Sequence, residues 1–225
     1  MSLHRTRVAA LGCVAAATAC ALAWAGAATG TTPHLLPAPQ LKVGKAQADL
    51  CPTAAAAKAL ADQGVTLGAR SPAVMAHVGD RTCVRLPMTR GEFALDLSAG
   101  SVPADGSITF TRSTGRVLAF NALVFDFGTL RATGTTTIEG SRAGRGRQQS
   151  ADLFTMEFQP AKTKIDLARG TAEGAAALGL GQGGDNALKD AFGTAPLPAQ
   201  GTVFDATAGG DVTQAAQALT RSLLP

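Results

Sequence analysis

The sequence predicts a mostly β protein of the α+β kind. We expect an antiparallel β-sandwich or an open, barrel-like sheet, with an N-terminal helix and short C-terminal helices packed on it. Three observations lead there. From Glu92 onward, apolar residues recur at every second position in segment after segment, the period of a strand with one wet face. Short turn signals (Ala99-Gly100, Asp105-Gly106, Thr114-Gly115, Gln159-Pro160) separate those segments closely enough to pair neighbours antiparallel. Helical spacing with capping residues is confined to stretches outside this run.

Taken in order, residues 1–27 read as a secretory signal peptide. His4, Arg5 and Arg7 precede an apolar run from Val8 to Leu22, and Ala25-Gly26-Ala27 supplies the small residues of a cleavage site. The alternatives are a retained anchor over Val8–Ala28, long enough to span a bilayer, and lipoprotein processing at Cys20. Residues 28–48 carry three prolines and no periodicity, and read as an extended linker. Residues 49–225 then make a single β-rich globular domain, with enough chain for one core.

That domain opens with a helix, N-capped by Thr53 and stopped at Gly64. Phe93, Leu95 and Leu97 alternate with polar or small residues, as do Ile108 with Phe110 and Phe154 with Met156 and Phe158. Val117 to Phe127 is apolar at both parities, which predicts a central strand covered on both faces. Asn121 marks a bulge there, and Asp126 closes the element within reach of Arg131. Thr133, Thr135 and Thr137 form a solvated ladder, followed by a basic hairpin loop over residues 140–150. Thr171 begins a glycine-weakened helix, Asp185 to Gly193 a short second one, and residues 201–208 a strand. The chain closes on an amphipathic helix over residues 211–224, with Val212, Ala215, Ala216, Leu219 and Leu223 on one stripe.

Composition excludes several functions. The formal charge of +4 falls to +2 once Arg5 and Arg7 leave with the signal peptide, too weak a basic field for nucleic-acid binding. No transmembrane span remains after cleavage, and a monomer is expected. The mature chain keeps two cysteines, Cys51 and Cys83, which in an exported protein read as one structural disulfide. With His34 in the linker, His77 is the one histidine placed to act as a base, and no G-x-S-x-G or H-E-x-x-H pattern accompanies it. Glu92, Asp96, Asp126 and Glu157 alternate with apolar residues as wet-face carboxylates do. No tyrosine and no mature tryptophan stands ready to stack on sugars. The glycines of "LGLGQGGDN" lack the lysine and the strand-to-helix spacing of a phosphate loop. Arg142, Arg145 and Arg147 make a candidate anion-binding loop.

The strings "GSITF", "GRVLAFNALVFDFGTLRATGT", "IDLARGTAEGAAALGLGQGG" and "FGTAPL" resemble the HtaA (haem-transport-associated) domain of exported actinobacterial proteins over about residues 90–198. That resemblance implies haem binding at the envelope, usually through a tyrosine. This chain has none; His77, Met75 or Met88 could ligate iron in its place, and the resemblance maps onto none of the three. The expectation is therefore an exported, non-enzymatic binding module that meets an envelope polymer or protein and carries no cofactor. The alternatives are a haem-binding module with a non-tyrosine ligand and a small secreted hydrolase.

Overall fold

The computed structural model of the chain describes residues 38–140 and 149–214. Their elements run β1 (Gln40–Pro52), α1 (Ala54–Asp62), β2 (Val65–Arg70), β3 (Val74–Val78), β4 (Arg81–Met88), β5 (Glu92–Ala94), β6 (Gly100–Pro103), β7 (Ser107–Arg112), β8 (Val117–Asp126), β9 (Arg131–Glu139), β10 (Gln149–Phe158), β11 (Lys164–Asp166), β12 (Thr171–Leu180), α2 (Gln182–Phe192) and β13 (Thr202–Gln214).

Eight strands close on themselves. Passing round the ring they are β1, β13, β12, β10, β9, β8, β6 and β5, each antiparallel to the next, with β5 pairing back to β1. The open sheet foreseen from sequence is thus a closed barrel. The ring closes at one end through the short strands β5 and β6. Beyond them, β1 pairs with β4, which carries β3, and β8 pairs with β7, which carries β2. The two long strands therefore belong to the barrel along one stretch and to a flaring wing along the other.

Two bulges explain how single strands face inward throughout. In β8, Leu118 and Phe120 are buried at even positions, but Leu123 and Phe125 at odd ones. The pairing with β9 shifts between Asn121 and Val124, where Ala122 adopts a φ of 50°. The two apolar parities thus present one inner face in two registers, rather than two covered faces. In β1 the pairing with β13 shifts between Val43 and Ala46, so Leu41 and Val43 are succeeded inside by Ala46 and Ala48.

Three further expectations change. Residues 40–48, read as linker, form the first half of β1, with Leu41 fully buried. Thr171 to Leu180, read as a helix, is β12, and α2 begins only at Gln182. Asp211 to Gln214, read as the start of a helix, continues β13 opposite β1; the rest of that helix lies outside the described residues.

One end of the barrel is filled. Phe110, Phe120, Phe154 and Phe204 are all fully buried and meet edge to face in succession, with ring centroids 5.3–5.7 Å apart. Helix α1 adds Ala56 and Leu60 to the same core, and Thr53 caps it by accepting from the Ala56 N–H. Helix α2 adds Ala187, Leu188, Ala191 and Phe192. It sits close on β10 because Gly183 and Gly184 have no side chain. A Cβ on Gly183 would come within 2.5 Å of the Ala151 Cβ, and one on Gly184 within 2.5 Å of the Leu153 carbonyl. Arg112 and Arg116 donate to the Phe192 and Ala191 carbonyls at 2.6 and 2.7 Å, placing two cations at the helix C-terminus.

Candidate functional site

Among the described residues, the other end of the barrel is not filled. Follow any inward face away from the phenylalanine cluster and the residues stop meeting. Along β13 the face runs from Phe204 through Ala206, Ala208 and Gly210 to Val212; along β12 it runs back from Leu178 through Ala176 and Gly174 to Ala172. Strand β1 adds Ala48 and Ala46. Register stacks these small residues in rows: Ala172, Gly210 and Ala46 in one, Gly174, Ala208 and Ala48 in the next. Side chains this short cannot reach the opposite wall.

That opposite wall is bulky. Phe93, Val102, Phe125 and Phe127 line it, with Leu97, while Met156 and Phe158 on β10 and Met88 on β4 flank the small-residue strands, paired with Leu178, Ala176 and Ala46. Phe127 lies parallel to Phe158 at 5.3 Å, with 3° between their planes, and stacks on Phe93 at 5.6 Å. The space left between the walls is about 910 Å³, its open mouth included. Its lining is almost wholly apolar. Among the described residues the polar side chain on it is Thr163, whose hydroxyl donates to the Gln159 carbonyl at 3.3 Å; Glu173 adds backbone, its exposed side chain lying over Gly209 on the outer face. Such a space offers water few hydrogen-bond partners and favours an apolar occupant.

Charged groups near the barrel are held by local partners. Asp126, at the end of β8, accepts from the Thr129 N–H at 2.7 Å and its hydroxyl at 2.8 Å, which hold its carboxyl below the usual range. Arg131, the partner expected for Asp126, instead pairs with Asp152. The Ser98 hydroxyl and N–H likewise hold Asp96 low. On the outer face, Asp49 takes both a 2.6 Å and a 2.8 Å bond from Arg85, whose pKa is raised by that hydrogen bond. Arg70 is raised in the same way by Glu139.

The sequence candidates scatter. Met88 lines the cavity. Met75 and His77 do not: both are exposed on β3, where the His77 Nδ1 lies 3.5 Å from the Thr82 hydroxyl. Cys51 and Cys83 are bonded, as neighbours across β1 and β4. Arg142, Arg145 and Arg147 lie outside the described residues. Among the described residues no three His, Cys, Asp or Glu side chains are grouped to hold a metal, and no helix is long and apolar enough to cross a membrane. The wall that makes the cavity was missed. Its one signal is alanine or glycine at every second position in three separate segments: 46–48, 172–176 and 206–210.

No protein-family model matches the chain, and no curated protein matches it. Its fold does match solved structures. It is similar to the C-terminal domain of HtaA from Corynebacterium glutamicum at 14% identity, over 76% of this chain and 99% of that one, with a TM-score of 0.56. A domain-swapped dimer variant of the same domain matches at 13% identity, over 68% of this chain and 87% of that one, with a TM-score of 0.47. The heme-binding protein HtaB of the same organism matches at 14% identity, over 78% of this chain and 95% of that one, with a TM-score of 0.45. The resemblance to the HtaA domain seen in the strand pattern is thus a likeness of fold.

Proposed function

We propose that the chain is an exported, monomeric, non-enzymatic binding module of the cell envelope, and that its ligand occupies the barrel cavity. One observation carries this reading: an interior walled on three strands by alanine and glycine and lined elsewhere by phenylalanine and methionine, with a polar side chain, among the described residues, only at Thr163. Empty apolar volume costs stability, so a barrel whose described residues leave it open has traded packing for binding. The N-terminal sequence supports export. The absence of a partner acid for His77 among the described residues supports binding rather than catalysis.

Haem is the ligand that the HtaA resemblance implies, and the residues present do not fit it. Among the described residues the lining offers the thioethers of Met88 and Met156 and the Thr163 hydroxyl, and no imidazole, phenol or thiolate. The chain contains no tyrosine, and His77 lies elsewhere on β3.

The test is a titration of purified residues 28–225 with Nile red, an uncharged dye that brightens in apolar surroundings. Saturable brightening, lost in Ala208→Phe while the fold by circular dichroism is unchanged, supports the cavity as the binding site. Brightening that Ala208→Phe leaves intact contradicts it.

A further inference from the structure

We infer that the cavity takes a metal-free, long-chain amphiphile, hydrocarbon inside and a single polar end at Thr163. This rests on the cavity being the binding site, and it names the ligand class. The small-residue wall is long: Ala172 to Leu178 on β12 and Ala206 to Val212 on β13 each cover six residue steps, about 20 Å at roughly 3.3 Å per residue. No cation lines that length among the described residues, and beyond Thr163, near its outer end, no side chain on it donates a hydrogen bond, so neither an anionic group nor a polar ring substituent finds a partner deep inside. A polar side chain occurs at one place. The Thr163 hydroxyl lies over Gly174, 3.7 Å from where a Cβ would stand, whereas the neighbouring Glu173 turns to the outer face, over Gly209. The lining beside that wall includes the flexible thioethers of Met88 and Met156, which adapt to a bent chain as a rigid wall would not. A slot that is apolar along its length and polar at one rim matches an amphiphile end for end.

The experiment uses purified residues 28–225 and cis-parinaric acid, a fluorescent long-chain acid, displaced by saturated alcohols of increasing chain length. Hemin and metal-free protoporphyrin are run in parallel, and each probe is repeated on Ala208→Phe and Met88→Ala. The expected result is saturable binding of one parinaric acid per chain, weakened at least about tenfold by Ala208→Phe. Each added methylene in the competitor should tighten displacement by about fourfold until the cavity is filled. Hemin should bind no tighter than protoporphyrin, and Met88→Ala should not alter their ratio. Hemin binding far tighter than protoporphyrin, with an absorption change lost in Met88→Ala, overturns the amphiphile while leaving the cavity as the binding site. Binding of no probe, or binding that Ala208→Phe does not touch, overturns both.

Discussion

Gly210 lies directly across the β1–β13 seam from Ala46, and a Cβ added to Gly210 would fall 2.3 Å from the Ala46 Cα. The pair sits just past the β1 bulge, on a seam that closes the barrel, and both residues line the cavity. Backbone this close leaves no flexible side chain to move aside. Gly210→Ala should therefore destabilise the fold by about 1–3 kcal/mol, the usual cost of overpacking a fitted site. Urea denaturation measures it, and an unchanged midpoint contradicts the seam geometry. Ala208→Phe, facing open space, should cost far less.

The disulfide joins β1 to β4 at facing positions, with a sequence separation of 32. Closing a loop of that length stabilises by about 3–4 kcal/mol on the chain-entropy account. Cys51→Ala with Cys83→Ala should lose that amount relative to the oxidised protein. A loss below about 1 kcal/mol would mean that the paired strands already restrain the unfolded chain.

Asp126 predicts a pH dependence. Its carboxyl is held low by the Thr129 N–H and hydroxyl, so the stabilisation is present above the unfolded carboxylate pKa of about 4 and is lost as pH falls through the depressed folded value. Asp126→Asn should be less stable than the parent at pH 7. The gap should shrink through the acid range below pH 4. A gap that widened on acidification would reverse the sign.

Asp49 and Arg85 supply a contrast between two ion pairs. The Asp49 side chain is 12% exposed and takes two bonds from Arg85, whereas Lys58 and Asp62 on α1 are 75% and 59% exposed. Arg85→Ala leaves a nearly buried carboxylate short of its partner and should cost about 2 kcal/mol. Lys58→Ala should cost about 0.3–0.5 kcal/mol, the value of an exposed pair one helical turn apart. Equal losses would contradict the burial difference.

What the sequence disclosed depended on side-chain size. Strands β7 and β10 were legible because large apolar residues alternate with polar ones, as Ile108 and Phe110 do, or Phe154, Met156 and Phe158. Helix α1 was legible through Thr53. Strand β12 was not: its inward residues Ala172, Gly174 and Ala176 carry no hydrophobic weight, so the alternation vanished and the alanines suggested a helix. Strand β1 was hidden by its bulge, which moves the inward parity between Val43 and Ala46. Closure was hidden too, because β13 meets β1 across more than 150 residues of chain. The residues that open the cavity are those whose smallness erases a periodic signal. The site was therefore the least readable part of the molecule, and among its lining only Met88 was singled out as a ligand contact, Phe93, Leu97, Met156 and Phe158 being read as core.

The methionines provide the most direct measurement. Met88 and Met156 line the cavity, and Met75 is exposed on β3, so three methyl groups report on two places. Methionine-methyl NMR of residues 28–225, titrated with cis-parinaric acid, should move the Met88 and Met156 signals to saturation together and leave Met75 in place. Movement of Met75 alone, or saturation of binding with both cavity methyls unmoved, would contradict a ligand inside the barrel.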